Sequence, residues 1–303
     1  MSSRPILGQL EAGNRVLFIR LRSMGDCVLT TPALRMLAMH RPDLEIAVMV
    51  DPQFAGVYEG LNYVILRPSI ANAFACHPAL CVNLHGGTRS ALLTAASRAN
   101  FRAGFAHFRH PYLYNVKIPR AQQILGEERP VHTAEHVASA LFYLGLPIQT
   151  IPRADLHVTM PSSRPNPYAA LHPFASSAAK TWPAANFVAV GECIKKQMHL
   201  EPIILAGPTD DIAPFADFQC VVNAPLDKVK ALLQDAALFV GNDSGPAHIA
   251  AAFNIPLTVL FGPSDPTTWA PWQATRAQVV TSQGPINGIT VDQVQRAIEA
   301  CVR

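Results

Sequence analysis

The sequence has no apolar run close to the ~20 residues that a helix needs to cross a bilayer. Its beginning, MSSRPILGQLEAGNR, lacks the cationic start and apolar core of a signal peptide, so we expect a cytoplasmic protein. Charged residues make up only 15% of the chain, whereas hydrophobic residues make up 50%. This balance excludes a disordered chain and is typical of an α/β protein of enzyme size.

Paired cysteines are also absent. The six cysteines are scattered, none forms a C-x-x-C pair, and none lies near histidines at the spacing of zinc ligands. We therefore expect reduced, mostly buried thiols and no metal site.

Several catalytic and nucleotide-binding patterns are missing as well. The chain has neither the Walker pattern nor the fingerprint G-x-G-x-x-G, and it has no G-x-S-x-G elbow of an α/β hydrolase. Ser177 to Lys180 match S-x-x-K, but the later Ser-Asp-Asn and Lys-Thr-Gly elements of the penicillin-recognising enzymes do not occur. A serine acyl-enzyme is therefore a disfavoured alternative.

Acidic residues are absent from Gly60 to Gly126, a segment that holds seven lysines and arginines. Residues 1–150 carry a net charge of +5 and residues 151–303 a net charge of −2. The basic segment is either a solvated face or a surface that attracts an anionic membrane or substrate. Nucleic acid is not expected as a partner, because no helix-turn-helix, zinc finger or aromatic-rich RNA-binding motif accompanies the charge.

Strand-like apolar runs alternate with helical patterns along the whole chain, which predicts βα units and parallel sheets. The Pro- and Ser-rich stretch TMPSSRPNPYAA has linker composition. We therefore predict two doubly wound, Rossmann-like domains, residues 1–160 and 161–303, facing across a cleft. The predicted strands are 15–21, 45–50, 63–67, 81–85, YAALH, PIILAG, LFVG and LTVLFG, and the predicted helices are 32–40, 90–98, 132–144, 184–197, 227–236, 246–254 and 291–303.

Ligands of such sheets collect beyond the carboxyl ends of the strands, so the loops there are the candidate sites. In RLRSMGDCVLTTPAL, Gly25 permits a tight turn and Asp26 comes at the start of the next helix. Asp26 is either an N-cap of that helix or a carboxylate that accepts a proton from a sugar hydroxyl.

Two further loops present donors or carboxylates after strands of the second domain. In LHPFASSAAKTWP, Ser176, Ser177 and Lys180 are candidate phosphate ligands, or else part of an ordinary solvated loop. In ILAGPTDD, Asp210 is either a ligand of ribose hydroxyls or a turn-forming residue.

The stretch FVGNDSGPAHIAAAFNIP changes from a strand to a helix within a few residues. Pro246 falls near the first helical position, and the free N–H groups of the first turn form a site for a diphosphate. Asp243 is the cap or an orienting acceptor beside Ser244 and Gly245. His248 lies one turn into the helix and is either structural or part of the site.

Taken together, these loops resemble the bacterial heptosyltransferases, glycosyltransferase family 9. The resemblance rests on SMGDCVLTTPAL, HPFASSAAKTWPAANF and GNDSGPAHIAAAFNIPLTVLFGPSDPTTWAPW, in order, with VNLHGGTRSALL and RAGF in the first domain. It implies a GT-B fold in which the first domain binds the acceptor and the second the nucleotide sugar. It also implies an inverting transfer of L-glycero-D-manno-heptose from ADP-heptose to the inner core of lipopolysaccharide, with no separate cofactor.

Site residues follow from the resemblance position by position. Asp26 matches the catalytic base, Lys180 matches the diphosphate-binding lysine, and Asp210 falls where the family often has a ribose-binding Glu. The remaining residues expected to bind the donor are Ser176, Ser177, Asp243, Ser244, Gly245 and His248.

The implied partners are a nucleotide-sugar donor, an anionic glycolipid acceptor and the inner membrane surface, which the protein contacts peripherally. Arg89, Arg98 and Arg102 are assigned to the acceptor side on charge alone. The chain has no D-x-D triplet, the usual metal-holding arrangement of other nucleotide-sugar enzymes, so we expect protein donors to replace a divalent cation. Two other functions stay open, a relative that uses another nucleotide sugar for a different surface glycan, and a non-catalytic nucleotide- or sugar-binding protein.

Overall fold

The computed structural model describes residues 5–159, 164 and 166–303. The chain divides into two compact units, Met1–Asp155 and Leu156–Arg303. The domain boundary predicted between residues 160 and 161 falls outside the described residues. No helix among the residues described has the length and apolar character needed to span a membrane.

The first unit contains a six-stranded sheet in the order β3-β2-β1-β4-β5-β6, with every neighbouring pair parallel. Its strands are β1 Arg15–Ile19, β2 Glu45–Met49, β3 Val64–Leu66, β4 Leu80–Asn83, β5 Phe101–Phe105 and β6 Val116–Ile118. Its helices are α1 Met24–His40, α2 Ile70–Ala75, α3 Thr88–Ala96, α4 Ala121–Leu125 and α5 Thr133–Leu144.

The second unit repeats this arrangement, with the order β12-β11-β10-β7-β8-β9 and parallel pairs throughout. Its strands are β7 Tyr168–His172, β8 Glu201–Ala206, β9 Gln219–Val222, β10 Leu238–Asn242, β11 Leu257–Phe261 and β12 Ala277–Thr281. Its helices are α6 Ala184–Met198, α7 Leu226–Gln234, α8 Gly245–Phe253, α9 Pro266–Trp269 and α10 Val291–Val302. The strand order is therefore the same in both units when each is numbered from its own first strand.

The central strands form because their apolar runs are buried along their whole length. Four of the five residues of β1, and all five of β10 and β11, are buried. A strand in the middle of a parallel sheet is covered on both faces, so a continuous apolar run suits it better than an alternating pattern. The predicted doubly wound α/β fold and its central strands are confirmed.

The edge strands β6, β9 and β12, and also β5, were not predicted. β6 has only three residues, and Arg102 and Gly104 interrupt the apolar pattern of β5. Short or polar strands of this kind are held by pairing with the neighbouring strand, which a local pattern does not reveal.

The helical stretch 32–40 was predicted too short. α1 begins eight residues earlier, at Met24, so that Asp26 lies at the start of a helix as expected and Pro32 lies in the helix interior. Proline has no N–H, so the carbonyl of Val28 loses its usual helical donor. The hydroxyl of Thr31 donates to this carbonyl at 2.8 Å instead, and it also accepts from the backbone N–H of Asp155 at 2.9 Å.

Replacing Thr31 with Val keeps the shape of this buried side chain but removes both hydrogen bonds. We expect the free energy of unfolding to fall by about 1–3 kcal/mol, because the Val28 carbonyl and the Asp155 N–H are left unsatisfied. Urea denaturation of the two proteins measures the difference.

Thr94→Val is the matched control. The Thr94 hydroxyl also donates within its helix, to the Ser90 carbonyl at 2.8 Å, but no proline removes the backbone donor there. If Thr94→Val lowers the free energy of unfolding as much as Thr31→Val, any buried threonine hydroxyl contributes equally to stability. This result would refute the special role given to Thr31.

Candidate active site

The candidate residues follow strands on either side of a reversal in strand order. In the first unit β1 lies beside β4, and in the second β7 lies beside β10, and at these places successive crossovers lead in opposite directions. Such switch points are where open parallel sheets bind ligands, beyond the carboxyl ends of the strands. Asp26 follows β1, Lys180 follows β7, and Ser244 follows β10.

Asp26 lies in the first turn of α1. The N-cap residue is Ser23, and Asp26 occupies the third helical position, so Asp26 is not itself the N-cap. Its Oδ2 atom accepts hydrogen bonds from the N–H of Ser23 at 3.2 Å and from the Ser23 hydroxyl at 3.3 Å. Asp26 thus stabilises the helix start and presents its second carboxylate oxygen, Oδ1, to other groups.

Arg20 places a buried positive charge beside Asp26. This residue was not predicted from the sequence. One terminal nitrogen of its guanidinium lies 3.9 Å from Asp26 Oδ1. Its Nε donates to the hydroxyl of Thr30 at 3.2 Å, and that hydroxyl donates to the carbonyl of Asp26 at 2.7 Å. An arginine at the end of an otherwise apolar strand is the signal that would have indicated it, because a buried charge needs a partner.

Two histidines lie within the electrostatic reach of Arg20. Burial, reinforced by the charge of Arg20, lowers the pKa of His136 to about 4 and also lowers the pKa of His85. The ring of His136 stacks on Phe105 with centroids 4.1 Å apart. Both imidazoles are therefore neutral at pH 7 and act there as hydrogen-bonding groups rather than as cations. The sequence singled out neither as a site residue.

The three arginines assigned to the acceptor side are not brought together. Arg89, near the start of α3, pairs with Asp51 at 2.9 Å, and both follow carboxyl ends of strands. Arg98 precedes β5 and lies over the ring of Phe74, at 5.0 Å. Arg102, the second residue of β5, donates to the carbonyl of Ala99 at 2.9 Å.

Arg98 and Arg102 therefore lie at the amino ends of the strands, opposite to Asp26, and the structure does not bring them together with Arg89. Successive loops of a βα fold alternate between the two edges of the sheet, so neighbouring charges in the sequence separate in the structure.

Lys180 forms the ionic centre of the second unit. Its ammonium Nζ lies 3.0 Å from Oδ2 of Asp243, whose side chain is 8% exposed, whereas that of Lys180 is 31% exposed. Lys180 ends a single 3-10 turn, Ala178–Lys180, which Ser177 precedes. Ser176 and Ser177 are exposed. Asp243 thus orients the lysine while leaving it accessible to an anion.

Asn242, which the sequence analysis did not single out, fastens the Lys180 loop to the end of β10. Its buried side chain donates from Nδ2 to the carbonyl of Pro173 at 2.9 Å and accepts at Oδ1 from the N–H of Trp182 at 3.2 Å. These residues flank the loop on both sides, so one amide holds its two ends.

Gly262 allows the same loop to lie close to the end of β11. A Cβ atom at this position would come 2.6 Å from the carbonyl oxygen of Ala179, which is backbone and has no room to move aside. Only glycine fits so close an approach.

The start of α8 has an unusual arrangement of its cap. Ser244 occupies the N-cap position, but its hydroxyl makes no cap hydrogen bond. It lies instead 3.0 Å from Nδ1 of His172, the last residue of β7. Asp243 is therefore the orienting acceptor of Lys180 and not the cap. Pro246 is near the first helical position as predicted, and His248 is buried in the first turn.

Asp210 is engaged in a local turn. Its Oδ2 accepts from the N–H of Gly207 at 2.7 Å, three residues earlier in the chain. This is the turn-forming alternative, although the second oxygen is not committed by this bond.

No group of three or more His, Cys, Asp and Glu side chains that suits a metal ion occurs in the part of the chain that the structure describes. The cysteines described are all free thiols, and most are buried.

Two parallel six-stranded α/β units with the same strand order, each with polar residues at its switch point, make up the GT-B fold. The model of glycosyltransferase family 9 (heptosyltransferase) matches residues 79–290. The chain therefore belongs to this family.

Two relatives named lipopolysaccharide heptosyltransferase 3 match the sequence. One, from Escherichia coli, is 37% identical over 121 residues, which are 35% of this chain and 34% of that protein, so this match spans about a third of its length. The other, from Escherichia coli strain K12, is 24% identical over 83% of this chain and 83% of that protein.

Solved structures show the same fold over nearly the whole chain. A family 9 glycosyltransferase from Veillonella parvula has a TM-score of 0.84 at 19% identity, covering 97% of this chain and 98% of that one. The Escherichia coli heptosyltransferase WaaC with ADP-2-deoxy-2-fluoro heptose has a TM-score of 0.74 at 19% identity, covering 94% and 99%.

The low pKa of His136 makes the stability of the protein dependent on acid. In the unfolded chain a histidine binds a proton near its ordinary pKa of 6.5, whereas His136 in the folded protein resists protonation down to about pH 4. Protons therefore favour the unfolded state between these values, and the free energy of unfolding falls as the pH falls through this window.

His136→Phe keeps a ring against Phe105 but removes the titrating group. We expect this variant to lose about 1–3 kcal/mol less stability than the wild type between about pH 7 and about pH 4.5. Denaturant unfolding at both pH values measures the loss. His40→Phe, which replaces an exposed histidine at the end of α1, is the control and should leave the pH dependence unchanged. Equal pH dependence of wild type and His136→Phe would contradict the assignment.

Proposed function

We propose that the protein is an inverting, metal-independent heptosyltransferase that moves heptose from ADP-L-glycero-D-manno-heptose to an inner-core acceptor of lipopolysaccharide. The observation that carries the proposal is the meeting of Lys180, Asp243 and the uncapped start of α8 at the switch point of the second unit. Membership of family 9, and the relatives named lipopolysaccharide heptosyltransferase, support heptose transfer. The WaaC structure with an ADP-heptose analogue supports the choice of donor.

The second unit is proposed to bind the donor. Breaking the bond between the anomeric carbon and the diphosphate leaves negative charge on the diphosphate oxygens. Lys180 supplies a point charge, and the backbone N–H groups at the start of α8 supply donors within the positive end of the helix dipole. Asp243 keeps the lysine in place through their 3.0 Å contact.

The first unit is proposed to bind the acceptor and to supply the base. The acceptor hydroxyl oxygen attacks the anomeric carbon from the face opposite the diphosphate, the bond to the diphosphate breaks, and Asp26 takes the hydroxyl proton. Its hydrogen bonds with Ser23 and its proximity to Arg20 hold the carboxylate in one orientation. The N-terminus of α1 favours the ionised form, which is the form that accepts a proton.

Charge on the first unit suits an anionic glycolipid. Arg89 is the arginine that we assign to the acceptor, because it lies at the same edge of the sheet as Asp26. Arg98 and Arg102 add to the positive field of the unit but are not proposed to touch the acceptor at the reacting end. We propose that the protein works in the cytoplasm and contacts the anionic inner surface of the membrane peripherally.

Asp26→Asn tests the base. Asparagine keeps an oxygen for the hydrogen bonds of Ser23 but cannot accept the hydroxyl proton, so we expect the rate of sugar transfer to fall at least ~100-fold. The affinity for ADP should stay within about twofold of the wild type. Transfer is measured with ADP-heptose and a heptose-deficient lipopolysaccharide acceptor, and ADP binding by calorimetry.

Ser23→Ala is the matched control, because it removes the hydroxyl contact to Asp26 Oδ2 but keeps the carboxylate itself and its bond from the Ser23 N–H. It should lower thermal stability slightly and keep most of the rate. A loss of ADP affinity in Asp26→Asn comparable to its loss of rate would reject the assignment of the base.

A thermal-shift titration with ADP, UDP, GDP and CDP, each with magnesium and with EDTA, tests the donor. A ligand that binds only the folded state raises its apparent stability. We expect a selective response to ADP that EDTA does not reduce, and a response weakened about tenfold or more in Lys180→Ala. Lys195→Ala removes another lysine of the second unit, which pairs with Glu201 at 3.6 Å, and should bind ADP like the wild type.

A preference for another nucleotide would indicate that the donor is a different nucleotide sugar. A response abolished by EDTA would reject metal independence. If no nucleotide shifts the transition, the proposed donor site fails. Unchanged affinity in Lys180→Ala would remove the role of this lysine alone.

A further inference from the structure

We infer that the outer surface of the α2–α3 layer in the first unit is the face by which the protein lies on an anionic lipid bilayer. This α2–α3 face consists of the exposed side chains of Ile70, Phe74, Leu92 and Tyr112 and of the basic residues around them. The inference rests on the proposed function, because it takes the acceptor to be a glycolipid held in the membrane. It adds which surface makes the contact.

Different helices cover the two faces of the first sheet. Crossovers between parallel strands are right-handed, so those that lead from β1 towards β3 and those that lead from β3 towards β6 lie on opposite faces. α1 packs against α5 on one face, and α2 packs against α3 on the other. Ala73 of α2 and Leu93 of α3 are buried in a core cluster with Cys81 of β4. The other side of α2 and α3 faces outward.

Large apolar side chains lie on this outward side. Ile70 and Phe74 are one helical turn apart on α2 and are 66% and 44% exposed. Leu92 of α3 is 54% exposed. Tyr112 is 74% exposed on the short 3-10 turn Pro111–Leu113, which packs against α3. Several such side chains on one layer indicate a contact surface.

Side-chain contacts join these residues into one surface. The Nε2 atom of His110 lies 2.9 Å from the hydroxyl of Thr88, the first residue of α3, and its Nδ1 atom lies 3.1 Å from the hydroxyl of Tyr112. Tyr112 is therefore held beside the start of α3. Beyond the other end of α3, the guanidinium carbon of Arg98 lies 5.0 Å from the centroid of the Phe74 ring, which connects this end to α2.

The charged residues that build this layer are basic. No acid occurs between Gly60 and Gly126, the segment that contains α2, α3 and the turn at Tyr112. Arg67, which precedes α2, and Arg98, which follows α3, are both exposed.

Strand pairing adds two cations to the same side of the sheet. Arg102 pairs in register with Cys81, and Lys117 pairs with Gly104, two residues after Arg102 on β5. Paired residues, and residues two apart on one strand, point to the same face of a sheet. Because Cys81 lies in the core beneath α2 and α3, Arg102 and Lys117 point to this face as well.

Two acids border the α2–α3 face. Asp51 is neutralised by Arg89 at 2.9 Å, and Glu11 lies at the edge of the cleft that Phe74 and Arg98 also line. The remaining cations outnumber these acids, so the face keeps a positive charge.

Cations placed between apolar and aromatic side chains suit a membrane surface better than a protein interface. Each basic residue near an anionic bilayer strengthens binding about fivefold, and aromatic rings reside well at the level of the headgroups. The centre of a protein–protein interface is instead depleted of charged residues. A bilayer on this face also holds the proposed acceptor near the carboxyl edge of the sheet, where Asp26 and Arg89 lie.

Co-sedimentation with vesicles of phosphatidylcholine, alone or with about one third phosphatidylglycerol, tests the inference. We expect the wild type to bind the anionic vesicles at least ~tenfold more tightly than the neutral ones, and to lose this preference at high salt. Ile70→Ser/Phe74→Ser/Leu92→Ser should bind the anionic vesicles at least ~tenfold more weakly, because its apolar contact with the bilayer is lost. Met39→Ser/Tyr143→Ser, which replaces exposed apolar residues of α1 and α5, is the control and should bind like the wild type.

Arg67→Gln/Lys117→Gln removes two exposed cations and keeps the apolar side chains, so it tests the face even if the triple variant does not fold. We expect binding to anionic vesicles to fall at least ~tenfold and binding to neutral vesicles to stay unchanged. Lys195→Gln/Lys196→Gln makes the same change in net charge on the second unit and should keep most of the binding.

Sugar transfer separates this inference from the proposed function. With the acceptor embedded in anionic vesicles, the triple variant should be at least ~fivefold slower than the wild type, whereas with a deacylated, soluble acceptor the two rates should agree within about twofold. If the wild type transfers no heptose to the soluble acceptor, the proposed function fails, whatever the vesicles show.

Undiminished vesicle binding by the triple variant and by Arg67→Gln/Lys117→Gln would overturn the inference. Equal losses in the control variants, or a wild type with no preference for anionic vesicles, would do the same. A wild-type dimer in analytical ultracentrifugation that the triple variant dissociates, without any vesicle binding, would assign the α2–α3 face to a second copy of the chain instead.

Discussion

All strands within each sheet run in one direction, and the placement of the functional groups depends on this constraint. Parallel strands need crossovers that return the chain to the same edge, so every loop after a strand emerges at that edge. Where the strand order reverses, two such loops lie side by side. The second unit uses this meeting to bring Lys180, after β7, against Asp243, after β10, at 3.0 Å. In the first unit the same arrangement brings Asp26, after β1, within electrostatic reach of His85, after β4.

Buried polar groups then determine what these loops present to a ligand. Arg20 pairs with Thr30 of α1, and Asn242 pairs with the backbone on both sides of the Lys180 loop. Such pairing offsets the cost of desolvation and leaves few alternative arrangements. The accessible groups, Asp26 and Lys180, are therefore held in orientation before any substrate arrives, which is the condition for electrostatic catalysis.

The sequence predicted the central strands, the fold and the loops that carry Asp26 and Lys180, because long apolar runs and strand-to-helix switches leave strong local patterns. It did not predict contacts made across the sheet. Asn242 appears as the end of an apolar strand, and His172 looks like an ordinary polar residue after one, until the pairing of β7 with β10 is known. Arg98 and Arg102 were grouped with Arg89 for the same reason, since charge composition carries no information about which edge of the sheet a residue occupies.

The Thr31 hydroxyl, which replaces the missing backbone donor inside α1, also limits which substitutions evolution can accept at this position. Proline at position 32 is compatible with a continuous helix because the side chain before it supplies the lost hydrogen bond. Thr31 is then not free to change alone without cost. Among relatives, a hydroxyl-bearing residue at position 31 should accompany proline at position 32, and where the proline is replaced, one of the constraints on position 31 is lifted. Thr31 and Pro32 are therefore expected to vary together, within the helix whose first turn holds the proposed catalytic base.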